Sequence, residues 1–230
     1  MTTETSGVRV DGSERRTLTS RIGNNTMPTT SPDGTAIVFV SQRTGKTQLW
    51  RMNADGHDLA QLTDIAFDLS HPQYSRDGQA VFFTAWVDGR NQIWQISSNG
   101  GEPSQVIDAD VYEWTVAPDG VRIAFSSFDA KAGKVQTRIH WRDHSIPDQV
   151  LDLNPETWML WAPDGQALYF NIGSDSVRNI WRQGLDGSPP KQITDFTDKR
   201  IFHCQWSRDS ERLACVRQAI TFDAVKITLE

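Results

Sequence analysis

The stretch Ser31-Pro-Asp-Gly-Thr-Ala-Ile-Val-Phe-Val40 joins a tight turn to an apolar strand, and its repetition decides the fold. In such a turn proline holds φ at about −65°, aspartate bonds the nearby backbone, and glycine adopts a positive φ without strain. Equivalent turns begin at positions 31, 75, 117, 162 and 207, so successive turns lie 42 to 45 residues apart. A period of this length predicts an array of five similar units.

The aspartates of these turns are predicted to shape the turns rather than to catalyse a reaction. A reaction needs one or two carboxylates, whereas five equivalent ones indicate a structural role. The residues concerned are Asp33, Asp77, Asp119, Asp164 and Asp209.

Each unit contains the signals of four strands. An apolar strand such as Val81-Phe-Phe-Thr84 follows the turn, and an alternating strand such as Gln92-Ile-Trp-Gln-Ile96 follows next. A second turn with a short outer strand, and a strand before the first turn, complete the unit. Four-stranded antiparallel units that are too small to bury both faces alone are typical of the blades of a β-propeller.

The sequence therefore predicts an all-β fold, a five-bladed β-propeller that forms a single domain over residues 1–230. The predicted blades cover approximately residues 20–64, 65–108, 109–153, 154–195 and 196–230, with residues 8–19 added to the last. A solenoid of stacked hairpins is the competing architecture, but it would need polar capping units at both ends. Neither end has that character, so a closed ring is favoured.

The two ends of the chain suggest how the ring closes. The fifth unit stops after its third strand, in residues 222–229, which leaves an outer edge without a partner. Residues 10–19 match residues 54–63 in length and in turn residues, so we predict that residues 8–19 pair with residues 222–229. The alternative is a fragment of a longer protein, in which the first strand belongs to a lost blade of a six- or seven-bladed ring.

Composition argues against several classes of partner. The formal net charge of −6 comes without a basic cluster, so we expect no nucleic-acid partner. No apolar run approaches the ~20 residues of a membrane-spanning helix, so no membrane insertion is expected. The first residues lack the basic and apolar regions of a signal peptide. We expect a monomer.

The repeat closely resembles that of the TolB-like family of bacterial β-propellers, which are similar to WD-repeat propellers. The resemblance rests on the Ser-Pro-Asp-Gly turn with its apolar strand, on residues 48–56 (Gln-Leu-Trp-Arg-Met-Asn-Ala-Asp-Gly), and on residues 61–63 (Gln-Leu-Thr). It covers nearly the whole chain and is weakest in the third unit. The resemblance implies a platform for protein interaction or ligand sensing, and it favours a periplasmic location. Fold alone does not fix function.

The last unit, residues 202–227, resembles the C-terminal blade of propellers attached to bacterial protein kinases and winged-helix regulators. Neither the kinase glycine-rich loop nor its catalytic-loop motif occurs in the sequence. A domain of that kind would therefore have to belong to a missing N-terminal part.

The sequence contains none of the common catalytic motifs. A nucleophile elbow, a phosphate-binding loop and the His-Glu-x-x-His zinc motif are all absent. We therefore assign no catalytic residue, no metal and no cofactor. We expect a non-catalytic protein.

One set of equivalent residues is the candidate ligand site. Innermost strands line the axial channel of a propeller, and each unit has one residue four positions before its turn, at the start of that strand. These residues are Met27, His71, Glu113, Trp158 and His203. A polar lining of a wet channel is the simplest interpretation, and a site for a small ligand or peptide tip with Trp158 as a stacking face is the functional one. A two-histidine, one-carboxylate metal set of His71, Glu113 and His203 is the less favoured alternative.

The two cysteines allow two interpretations. In a hairpin centred on the fifth turn, Cys204 and Cys215 lie opposite one another, close enough for a cross-strand disulfide. They are equally compatible with two buried thiols, because Cys215 occupies the position of a core phenylalanine in the other units. A tryptophan series is predicted to belong to the core between blades: Trp50, Trp94, Trp141 and Trp181.

The leading hypothesis is a binding propeller that recognises a protein or peptide through one face and the channel mouth. One alternative is a sensor propeller cut from a larger bacterial regulator. Another is a lyase or hydrolase with its site at the channel mouth, and a third is a purely structural scaffold.

Overall fold

The computed structural model describes residues 4–7, 16–19, 22–144, 146–151, 153, 158–174, 177–207 and 210–218. All regular structure in this part of the chain is β, and the sheets are arranged around one axis as a five-bladed propeller. The described residues include no helix long and apolar enough to cross a membrane. The prediction of an all-β, five-bladed propeller is confirmed.

The strands run outward from the axis in chain order within each blade. The chain begins with β1 (Ser6–Gly7) and β2 (Arg16–Thr17). Blade 1 consists of β3 (Asn25–Thr30), β4 (Ala36–Ser41), β5 (Gln48–Asn53) and β6 (Ala60–Gln61), and blade 2 of β7 (Asp68–Tyr74), β8 (Ala80–Val87), β9 (Arg90–Ser97) and β10 (Ser104–Ile107). Blade 3 consists of β11 (Val111–Val116), β12 (Arg122–Asp129), β13 (Lys134–Trp141) and β14 (Gln149–Leu151), and blade 4 of β15 (Met159–Trp161), β16 (Ala167–Gly173), β17 (Arg178–Gly184) and β18 (Lys191–Gln192). Blade 5 is described by β19 (Arg200–Trp206) and β20 (Leu213–Gln218).

The repeated turn has the hydrogen bonds that its sequence predicts. In blade 1 the Ser31 hydroxyl donates to Asp33 Oδ1 at 2.6 Å, and the Thr35 backbone N–H donates to the same oxygen at 3.0 Å. Gly34 takes a φ of 75°. These bonds favour the ionised carboxylate, and they lower the pKa of Asp33 to about 2. The carboxylate of Asp33 therefore has a structural role in its turn.

Large aromatic side chains fill the spaces between neighbouring blades. Phe39, Phe83 and Phe170 are completely buried, and each lies directly opposite the tryptophan of the next strand. Blade 3 departs from this register, because Phe125 lies opposite Arg138 while Trp141 lies opposite Arg122. Trp141 still packs against a core cluster. The core role predicted for the tryptophan series therefore holds for Trp141, which lies at a different register position from the other three.

The first residues form a hairpin that has the structure of the outer half of a blade. The Thr5 backbone N–H donates to Thr19 Oγ1 at 2.9 Å, and the Leu18 N–H donates to the Thr5 carbonyl oxygen at 2.8 Å. The same two bonds, at the same two distances, join residues 49 and 62–63 in blade 1 and residues 180 and 193–194 in blade 4. Leu18 packs against the core of blade 1, formed by Ile37, Phe39 and Met52.

The predicted pairing of residues 8–19 with residues 222–229 lies largely outside the described residues. What the structure describes is the pairing of Arg16 and Thr17 with Gly7 and Ser6. The N-terminal segment therefore contributes two strands, where the sequence predicted only one.

The two cysteines form a cross-strand disulfide in blade 5. Cys204 and Cys215 are directly opposed in the register of β19 and β20, and their Cα atoms are 4.1 Å apart. Of the two interpretations that the sequence left open, the structure shows the disulfide.

Reduction of this disulfide is expected to lower the free energy of unfolding by about 2 to 3 kcal/mol, because the unfolded chain gains the freedom of a short loop. Urea unfolding with and without dithiothreitol measures the effect. A Cys204→Ala, Cys215→Ala double variant serves as the control, since it should not respond to the reductant. Equal sensitivity of both proteins would contradict the prediction.

Candidate ligand-binding channel

A cavity of about 530 Å³ lies on the axis of the propeller, and the inner strands of all five blades line it. Its walls are formed by residues 27–30 of blade 1, 71–76 of blade 2, 115–118 of blade 3, 158–161 of blade 4 and 203–206 of blade 5. Cavities of this size commonly accept small ligands or a few residues of a peptide. The channel is therefore the candidate binding site.

The structure brings four of the five predicted site residues to this cavity. Met27, His71, Trp158 and His203 contribute to its lining. Glu113 does not, because the contribution of blade 3 begins two residues later, at Thr115. Four of the predicted residues therefore lie at one cavity, and Glu113 lies outside its lining. The predicted role of the set in binding a ligand stays a prediction.

Two of the channel residues adopt an uncommon backbone conformation. Met27 and His71 have φ values of 51° and 50°, and each lies within a register shift between the first two strands of its blade. The His71 backbone N–H donates to the Met27 sulfur at 3.3 Å, which links blades 1 and 2 at the mouth. Sequence reasoning missed these bulges. Pro28 and Pro72 were the available signal, since proline inside a strand is confined to edges and bulges.

Burial shifts the pKa of two of the predicted site residues. Burial lowers the pKa of His71, which favours the neutral imidazole. Its Nδ1 lies 3.0 Å from the Ser70 hydroxyl oxygen. Burial also raises the pKa of Glu113 to about 7. Among the described residues no group of three or more His, Cys, Asp or Glu side chains could hold a metal ion, so His71, Glu113 and His203 do not form the metal set considered above.

Replacing Glu113 by glutamine is expected to raise the free energy of unfolding at pH 8, by on the order of 1 to 2 kcal/mol after allowance for partial exposure. The folded-state pKa of about 7 lies above the ordinary 4.5, so the folded protein holds the proton more tightly than the unfolded chain. The stabilisation from Glu113 is complete below pH 4.5 and is lost as the pH rises through 7.

Chemical unfolding of Glu113→Gln and the wild type at pH 4 and pH 8 measures this effect. The gain should be present at pH 8 and absent at pH 4, where both side chains are neutral. Glu102→Gln is the control, because it makes the same substitution at an exposed position. Equal stabilities of Glu113→Gln and wild type at pH 8 would refute the argument.

Five blades around an axial channel define the class of protein as a five-bladed β-propeller. The sequence profile of the family described as the TolB beta propeller domain matches residues 10–147, which is more than half of the chain. The chain belongs to this family. A search of curated proteins found no significant match. Nothing in these comparisons bears on the predicted likeness of the last blade to propellers of kinases and winged-helix regulators.

Solved structures with the same fold include proteins of different activities. A protein of Agrobacterium tumefaciens assigned as TolB superposes with a TM-score of 0.72 at 20% identity, over 94% of this chain and 78% of that one. An oligogalacturonate lyase of Vibrio parahaemolyticus gives 0.71 at 16% identity, over 95% and 67%. TolB of Acinetobacter baumannii gives 0.64 at 19% identity, over 85% and 50%. This chain spans half the length of the last of these. At such identities the likeness shows the fold alone.

Proposed function

We propose that this protein is a non-catalytic binding propeller that recognises a protein or peptide at the mouth of its axial channel. The observation that carries the proposal is the convergence of Met27, His71, Trp158 and His203, from four different blades, on one cavity. A cavity lined by several rigid strands can hold a ligand through many weak contacts, and it needs no reactive group.

The surface around the mouth is suited to a peptide. Met27 is 43% exposed and His203 is exposed as well, so both can be reached from solvent. The thioether of methionine adapts to ligands of irregular shape, while the histidine rings supply hydrogen bonds. We propose that the ligand is a protein segment, that the propeller acts as a monomer, and that nucleic acid is not a partner.

Selection of phage-displayed random dodecapeptides against the intact protein tests this proposal. We expect recurrent peptides, and we expect the double variant Met27→Ser, His203→Ala to bind them at least about tenfold more weakly in calorimetric titrations. Leu59→Ser is the matched control. Leu59 is also 43% exposed but belongs to the outer part of blade 1, so its replacement should leave binding unchanged.

Two results would overturn the proposal. Peptides that bind the double variant as tightly as wild type would place the interaction on another surface. Failure to select any peptide, together with turnover of a substrate such as oligogalacturonate, would support the enzymatic alternative. The lyase fold shared with the Vibrio protein is the reason to include that substrate.

A further inference from the structure

The interface between blades 2 and 3 departs from the pattern of blades 1, 2 and 4. In those three blades a tryptophan lies opposite the buried phenylalanine and packs in a core cluster: Trp50, Trp94 and Trp181. In blade 3 this position is taken by Arg138, opposite Phe125. Trp141 packs in the cluster shared with blade 4, whereas Phe125 belongs to the cluster shared with blade 2. Trp141 therefore does not fill the position beside Phe125.

The apolar residues at this interface are also smaller than their counterparts one repeat earlier. At the interface of blades 1 and 2, three large residues pack in the cluster of Trp94: Leu62, Ile65 and Phe67. The residues 44 positions later pack at the interface of blades 2 and 3: Val106, Ala109 and Val111. Protein interiors are close-packed, so several smaller side chains at one interface leave a space.

A cavity of about 300 Å³ lies at this interface. Residues 106–109 of blade 2 line one side, and the other side is lined by Phe125, Ser127, Arg138, His140 and Asp148 of blade 3. The side chains of Asp108 and Asp148 are 63% and 37% exposed, so the rim of the cavity is open to solvent. None of these lining residues belongs to the axial channel, which makes this a separate site.

The polar groups of the cavity are held in place by other side chains. Arg138 Nη1 donates to Ser127 Oγ at 2.8 Å, and Arg138 Nη2 donates to Asp129. A guanidinium group that is bonded through its N–H groups can still stack on an aromatic ring through its face. The rim carboxylates of Asp108 and Asp148 have more acceptor positions than one hydrogen bond uses, so each can accept a bond from a ligand.

Stacking of an arginine on a tryptophan already occurs twice in this protein. The guanidinium carbon of Arg43 lies 4.5 Å from the centre of the Trp50 ring, and that of Arg122 lies 4.9 Å from the centre of the Trp161 ring. In blade 3, Arg138 stands at a position that holds tryptophan in other blades, and a cavity lies beside it. The position thus offers an arginine and an apolar wall without the indole ring.

We propose that this cavity binds an indole ring, which stacks on Arg138, packs against Val106 and Ala109, and donates its N–H to Asp108 or Asp148. The inference goes beyond the proposed function, because the site lies between two blades and does not depend on the channel. The ring can belong to a free small molecule or to a tryptophan side chain of a protein partner. Both present the same aromatic face and the same N–H donor.

Isothermal titration calorimetry with neutral probes tests the inference. The probes are indole, a blocked Gly-Gly-Trp-Gly-Gly peptide, and the matching peptide with leucine in place of tryptophan. We expect the leucine peptide to bind at least tenfold more weakly than the tryptophan peptide or indole, whichever binds more tightly. Tighter binding of the tryptophan peptide than of indole would identify a protein side chain as the ligand, and the reverse order would identify a free small molecule.

The double variant Val106→Leu, Ala109→Ile fills the cavity with the residue types found one repeat earlier. It should weaken binding of the preferred indole probe at least tenfold, while the hydrogen bonds of Arg138 stay in place. Val121→Leu is the matched control, because Val121 is 37% exposed and lies in the repeated turn of blade 3, outside the cavity lining. This control should bind the probe as wild type does, and so should the channel variant Met27→Ser, His203→Ala.

Methyl NMR of the wild type gives a second test that does not depend on the folding of a variant. The bound ring should shift the methyl resonances of Val106 and Ala109 and leave those of Val121 unchanged. No binding of either indole probe, equal binding of the leucine peptide, or a bound probe that leaves Val106 and Ala109 unperturbed would refute the site. Full binding by the cavity-filling variant, or lost binding in the channel variant, would refute it as well. The proposed function of the channel would stand in each case, because peptides selected from the library test it separately.

Discussion

Replacing Phe83 by alanine is expected to lower the free energy of unfolding by about 3 to 5 kcal/mol. Phe83 is completely buried in blade 2, and it belongs to a cluster that includes Val38, Val40 and Leu49 of blade 1. The substitution therefore leaves a cavity between two blades, where neither sheet can close the gap without moving as a unit. For a chain of this length the melting temperature should fall by roughly 10 °C.

Phe128→Ala is the matched control for this experiment. Phe128 lies in the equivalent strand of blade 3 but is 54% exposed, so its loss should change stability by no more than about 0.5 kcal/mol. Urea unfolding followed by tryptophan fluorescence measures both variants. Similar losses for Phe83→Ala and Phe128→Ala would mean that the blades are not packed as described.

Removal of residues 1–19 is expected to destabilise the protein by at least about 3 kcal/mol. The deletion takes away Leu18, which covers the Ile37, Phe39 and Met52 cluster of blade 1. It thereby exposes a surface that the corresponding outer strands cover in the other blades. The effect comes from the lost apolar burial.

Leu18→Ser gives the same test with a smaller perturbation. It should cost about 1 to 3 kcal/mol by removing the apolar contact alone, whereas Leu59→Ser, at a residue that is 43% exposed, should be nearly neutral. Differential scanning calorimetry compares the three proteins. If the deletion left the melting temperature unchanged, the N-terminal hairpin would not be part of the stable structure.

The architecture could be predicted from the repeat because every unit contains the same short-range interactions in its turn and first strands. The turn of Ser31 to Gly34 is specified by residues that are adjacent in sequence, and the strand after it is apolar on both faces, as a strand buried between neighbouring blades requires. In blade 3 the register places Arg138, and not Trp141, opposite Phe125, because the turn between Asp129 and Lys134 fixes the pairing of the two strands. The packing of one blade on the next could not be predicted in the same way, because it depends on residues that are far apart in sequence.

For the candidate site, the sequence could indicate equivalent positions in the blades but not the exact contacts of their side chains. Equivalence between units was sufficient to place Met27, His71, Trp158 and His203 around the axis. It could not show that Glu113 lies outside the lining of the cavity, because this depends on the exact position of neighbouring side chains. Bulges at Met27 and His71 were foreseeable from the prolines that follow them.

The most direct test of the account is methyl NMR of the protein labelled with carbon-13 at its methionine methyl groups. Met27 lines the channel and is 43% exposed, whereas Met52 and Met159 are buried in core clusters. Addition of a selected peptide should shift the Met27 resonance strongly and leave Met52 unchanged. A bound peptide that left Met27 unperturbed would show that the ligand binds elsewhere on the propeller.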